Sequence, residues 1–103
     1  MRIKWSHRAR QDLRDLRDYV AKDSTYYARQ FTDRLIFSTE KLIAHSRLGR
    51  KVPETDQDDI RELIFHDYRI IYLIKSDHLY IVTIIHGSRD LTQLETKPWE
   101  DNT

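Results

Sequence analysis

A chain of 103 residues, 34% charged and 39% hydrophobic, has room for one thin core, which excludes two independent domains. A net charge of +1 counts against generic polyanion binding, because domains that depend on nucleic acid are usually basic throughout. The lack of cysteine excludes disulfides and thiolate chemistry; no window offers the ~20 apolar residues of a membrane span, and no apolar segment follows the basic start. A soluble, cytoplasmic chain with no membrane partner is expected.

Arg2-Ile3-Lys4-Trp5 alternates polar and apolar, predicting a short first strand with Ile3 and Trp5 on one face. Ser6 is placed to cap a helix that runs from His7 to about Lys22, with Ala9, Leu13, Leu16 and Val20 as its apolar stripe. The other face carries Arg8, Arg10, Asp12, Arg14, Asp15, Arg17 and Asp18, oppositely charged three or four apart, as a solvated face does. Asp23-Ser24-Thr25 ends this helix and caps the next. Tyr27, Ala28, Phe31, Leu35, Leu42 and Ile43 carry a second helical period to about His45, and the short link makes an antiparallel hairpin. From Ser46 to Asp59, with Gly49, Pro53 and four acidic residues, the chain reads as a loop; its basic knot is Arg47, Arg50 and Lys51.

Residues 60–91, IRELIFHDYRIIYLIKSDHLYIVTIIHGSRDL, hold three β-branched runs broken at His66-Asp67 and Ser76-Asp77-His78. The run starting at Tyr68 is apolar on both faces, which predicts a central strand. In the last run Leu79, Ile81, Thr83 and Ile85 are expected to alternate with Tyr80, Val82, Ile84 and His86. The predicted fold is α+β, in the order β-α-α-β-β-β: an N-terminal strand, then an antiparallel helical hairpin packed on a small antiparallel sheet. The domain should cover residues 1–94. A polar, acidic tail, 95–103, holds Trp99 as an anchor against the body or a partner.

Charge is split along the chain. Residues 1–51 carry 13 Lys/Arg and 6 Asp/Glu, whereas residues 52–103 carry 5 and 11, so a basic helical face should lie beside an acidic one. Against that trend, Arg61, Arg69, Arg89 and His86 stand at the ends of the apolar runs, with Arg50 and Lys51 in the loop before them. Two readings follow. Arg61, Arg69 and Arg89 converge at one edge of the sheet and grip a phosphate or another anion. Alternatively they pin the fold: Arg61 lies beside Asp58, Asp59 and Glu62, Arg89 beside Asp90, and His86 next to Gly87 bonds a turn. The five His, at 7, 45, 66, 78 and 86, have no ligand spacing, and no Gly-rich phosphate loop exists, so neither a metal nor a cofactor is expected.

Four segments in this order, IKWSHRARQDLRDLRDYV (3–20), LGRKVPE (48–54), IRELIFHDYRIIYLI (60–74) and IVTIIHGSRDL (81–91), resemble the RelE/ParE superfamily of toxins from type II toxin–antitoxin modules. The resemblance implies a growth inhibitor neutralised by a cognate antitoxin protein. It also implies a choice of target between DNA gyrase, in the ParE-like branch, and the ribosome with its mRNA, in the RelE-like branch. The nuclease reading takes His86 as the proton-transfer group and Arg61 and Arg89 as phosphate clamps. Nearly neutral charge and the lack of a Tyr after the last strand lie closer to the ParE-like branch, whose function is binding. In that branch Arg50, Lys51, Arg61, Arg69 and Arg89 would contact the target or an anion, beside Arg8, Arg10, Arg14 and Arg17 of the helical hairpin. A third reading is an inactive homologue that only binds antitoxin.

Overall fold

The computed structural model describes residues 1–100. Strand β1 (Arg2–Trp5) leads through Ser6 into helix α1 (His7–Ala21). Ser6 ties the two together. Its hydroxyl accepts from Ala9 N–H at 2.9 Å and donates to the Val82 carbonyl at 2.9 Å, while its own N–H extends the β1 ladder to the Ile81 carbonyl at 2.8 Å. Ala9 and Leu16 are buried on α1, with Leu13 and Val20 packed partly against the same core. Ser24 caps helix α2 (Thr25–Thr39) by accepting from Tyr27 N–H at 3.1 Å.

The second helix stops short of the expected His45 and tightens into a 3-10 turn, Glu40–Ile43. Ser38 and Thr39 donate their hydroxyls back to the Leu35 and Ile36 carbonyls at 2.6 Å each, competing with the α-helical ladder. Leu42 still reaches the core.

Strands β2 (Arg50–Lys51), β3 (Ile60–Phe65), β4 (Tyr68–Ile74) and β5 (His78–His86) complete a five-stranded sheet in the order β1-β5-β4-β3-β2. The run starting at Tyr68 is the central strand. Two features differ from the small antiparallel sheet expected. β1 pairs parallel to β5, which the long connection through both helices and strands β2 to β4 permits, so the sheet is mixed. A two-residue strand, β2, lies inside the expected loop; two residues are too few to show alternation in a sequence.

Strict alternation in β5 is also interrupted. The β4–β5 register shifts between Ile71 and Tyr72, leaving Val82 as an extra residue. Leu79, Ile81 and Ile84 therefore join the helix-side core with Ile70, Tyr72, Phe31, Leu35 and Leu42. Val82 turns to the opposite face, where Val52, Ile60, Ile71, Leu73 and Leu91 form a second cluster. That face carries no long helix. The loop after β2 and the C-terminal segment cover it, with Leu94 and Trp99 packed against the cluster and Pro98 buried. Of the expected acidic tail, residues 101–103 lie outside the described residues.

Candidate functional site

The turn His66-Asp67 sets where the cations fall. It joins β3 and β4 directly, with His66 at φ 52°, so Phe65 lies opposite Tyr68, Ile64 opposite Arg69 and Arg61 opposite Tyr72. Paired residues share a face, and successive residues alternate. Arg61 and Arg69 consequently emerge on opposite faces of the sheet. The expected convergence of Arg61, Arg69 and Arg89 at one edge is not formed, and counting residues outward from the turn was the sequence signal that gives this parity.

Arg69 points to the loop-covered face, its side chain 6% exposed. Its Nε donates to Glu62 Oε1 at 2.6 Å, and Nη1 and Nη2 reach the two Glu54 oxygens at 2.9 and 2.6 Å. Nη1 also donates to the Arg89 carbonyl at 3.1 Å, and the Leu91 N–H donates to Glu54 at 3.0 Å. Arg50 closes the chain from β2, its Nε 2.6 Å from Glu62 Oε2. The hydrogen bond from Arg69 holds the Glu54 carboxyl at about 2, well below its usual 4.5, against the opposing effect of burial. Glu54 and Glu62 were not singled out as site residues by sequence; a carboxylate in a loop 15 positions from its guanidinium leaves no periodic mark.

Arg61 lies at the other face and spans the base of the loop. Its Nε donates to the Asp58 carbonyl at 2.9 Å, Nη1 to the Gly49 carbonyl at 2.9 Å and Nη2 to the Asp58 carboxylate at 2.7 Å. Tyr72 supports the same loop, donating its hydroxyl to the Ser46 carbonyl at 2.7 Å and accepting from Gly49 N–H at 3.0 Å. Gly49 is required there, because an added Cβ would stand 2.6 Å from the Glu62 carbonyl oxygen and 2.7 Å from the Tyr72 hydroxyl. Lys51 is exposed on β2, and the Arg89 side chain is exposed beyond β5.

His86 is at the far end of the strands from Arg61. It sits opposite Tyr68, four strand residues or about 13 Å from the level of Arg61 and Tyr72. Its Nδ1 accepts from Ser88 N–H at 3.2 Å and lies 2.7 Å from the Ser88 hydroxyl, and its ring meets Tyr68 edge-on at 5.7 Å. These contacts shape the turn after β5. Among the described residues no three His, Asp or Glu side chains are grouped to hold a metal ion, and no helix is long and apolar enough to cross a membrane.

The surface offers a groove instead. Trp5, Arg10, Leu13 and Ile36 line a depression of about 350 Å³ between β1, α1 and α2. Phe37, one residue beyond, is 69% exposed. At the next turn of chain Ile43 is 47% exposed, and the amino terminus donates to its carbonyl at 3.3 Å. Arg8, Arg10, Arg14 and Arg17 are all exposed along α1. An apolar groove with Arg10 in its lining suits an amphipathic, acidic protein segment.

Residues 3–91 match the family described as the ParE toxin of the type II toxin–antitoxin system, parDE. Among solved structures, a chain of the chromosomal ParDE toxin–antitoxin system from P. aeruginosa superposes with a TM-score of 0.72 at 18% identity, covering 84% of this chain and 95% of that one. A search of curated proteins gave no match.

Proposed function

Because this chain belongs to the ParE toxin family of type II toxin–antitoxin systems, we propose that it halts growth by binding DNA gyrase in the cytoplasm and stabilising its cleaved-DNA complex. The observation that carries the choice of a binding function is the separation of the cations. A metal-free ribonuclease needs a proton-transfer group and guanidinium groups around one phosphate. Arg69 instead faces away from Arg61 and is bonded to Glu54 and Glu62, and Arg61 lies about 13 Å along the strands from His86. Target contact then falls to the exposed cations, Arg50, Lys51 and Arg89, together with the arginines of α1.

Neutralisation fits the groove at Trp5, Leu13 and Ile36. A cognate antitoxin would lay an amphipathic segment there, with acidic side chains toward Arg10. Inducing this chain alone and comparing ends tests the target: gyrase-linked DNA breaks with intact ribosome-associated mRNA are expected. Cut mRNA that disappears in His86→Ala and Arg61→Ala, with unbroken DNA, would overturn the gyrase reading. Normal growth without antitoxin would leave a homologue that only binds antitoxin.

A further inference from the structure

Strand β5 outruns its parallel neighbour. β1 pairs with residues 78–81 alone, so among the described residues no strand flanks 82–86 on that side. Where β1 ends, Ser6 holds the Ile81 and Val82 carbonyls, and Asp12 Oδ2 accepts from the Ile84 N–H at 3.0 Å and the Thr83 hydroxyl at 2.6 Å. The N–H and carbonyl of one strand residue point the same way. The Ile84 carbonyl and the His86 N–H therefore face the same open edge.

Beside that edge a cleft of about 220 Å³ opens between α1 and the sheet. Its lining combines the apolar Leu16 and Ile84, the Tyr19 and Tyr68 rings, the carboxylates Asp12 and Asp15, and His86. Both carboxylates bond only neutral groups here: Asp12 takes the Thr83 and Ile84 donors, and Asp15 accepts from Gln11 Nε2 at 2.9 Å. The Tyr19 ring already attracts a cation, with Lys22 Nζ 5.7 Å from its centroid.

We propose that this edge accepts an extended segment of a partner protein, paired on residues 84–86, with one arginine of that segment seated between the two carboxylates and the two tyrosine rings. Charge complementarity selects the occupant. An acidic side chain would meet Asp12 and Asp15 with like charge, and an apolar one would strip water from them without replacement. Arginine supplies a planar fork for the carboxylates and a flat face for the rings, which lysine does not. Strand addition supplies main-chain bonds, and the pocket beside it supplies selectivity. The site lies apart from the groove at Trp5 and Leu13 and does not depend on the gyrase reading.

The test uses the full isotope-labelled chain and the acetylated, amidated pentapeptide TVRVT. Amide shifts centred on Ile84, Ile85 and His86, with ring shifts at Tyr19 and Tyr68, are expected. Replacing the peptide's arginine by norleucine should weaken binding about tenfold, and so should Asp15→Asn in the protein. Asp15 is exposed, so D15N keeps its unfolding midpoint and separates lost recognition from lost fold. Equal binding of the norleucine peptide, shifts confined to the Trp5 groove, or no shift at the highest soluble peptide concentration would each overturn the proposal.

Discussion

The two faces of the sheet are covered in different ways, and different forces hold the coverings. Helices α1 and α2 satisfy their own backbone groups, so their contact with the sheet is mostly apolar, from Ala9 and Leu35 to Ile70 and Ile84, with Asp12 bonding Thr83 and Ile84 at the strand's end. The opposite face is covered by the chain after β2 and by the residues following β5, which have no ladder of their own. There the Glu54–Arg69–Glu62–Arg50 network supplies the struts, even taking up the Leu91 N–H and the Arg89 carbonyl. A small charged domain can thus close one face with loops if buried ions satisfy what those loops leave open.

The sharpest way to break this comparison is to remove the central strut. Arg69→Met leaves the buried Glu54 without a counter-charge and Glu62 with Arg50 alone, and should cost about 3–5 kcal/mol in urea unfolding. Leu35→Ala, on the helix face, should cost about 2–5 kcal/mol through a cavity. The two losses are similar in size but differ in place. Hydrogen exchange in R69M should quicken around residues 52–59 and 87–91, while in L35A it should quicken across the helices. Uniform quickening in both variants would mean that the loops are not held by the network.

Acid should undo the same face next. Glu54 titrates at about 2 in the folded chain against a usual 4.5, so its contribution is complete above about 4.5 and is lost as pH falls towards 2. That shift corresponds to about 3 kcal/mol. Unfolding midpoints measured from pH 6 downwards should fall through this window, and Glu54→Gln should flatten the fall. An unchanged acid limb in E54Q would assign the loss to other carboxylates.

A smaller effect is expected where the loop begins. Tyr72→Phe keeps the buried ring but leaves the Gly49 N–H and the Ser46 carbonyl without their partner, at about 1–3 kcal/mol. Gly49→Ala forces the chain off the Glu62 carbonyl at a similar cost of about 1–3 kcal/mol. Both loosen one contact, so the double variant should cost less than the two separately. Full additivity in chemical denaturation would mean that the hydroxyl and the glycine act independently.

Local patterns made the helix face readable. The three- and four-residue spacing of Ala9, Leu13, Leu16 and Val20, the capping serines, and a strand apolar on both sides each point to one structure. The loop face was not readable in that way. Glu54 meets Arg69, and Tyr72 meets Gly49, across chain separations of 15 and 23 residues, and neither pair leaves a period. The bulge at Val82 is equally silent, because the run from Ile81 to Ile85 is β-branched throughout; it nevertheless decides that Ile84 and His86 face the helices. The cation set lies between these cases. Its residues stood out by composition, but their grouping depended on register, which a two-residue turn fixes and a residue list does not.

The smallest expected effect isolates desolvation from charge. Arg47 also pairs with an acid, its Nη1 bonded to the Asp58 carboxylate, but the two side chains are 54% and 60% exposed and Asp58 keeps a second partner in Arg61. Water and salt can replace Arg47 there, as they cannot replace Arg69. The Arg47→Ala unfolding midpoint should therefore fall within the scatter of repeat measurements, and molar salt should shift wild type and variant equally. If R47A were as destabilised as R69M, proximity of opposite charges alone would set the cost, and the contrast between a wet pair and a dry network would lose its basis.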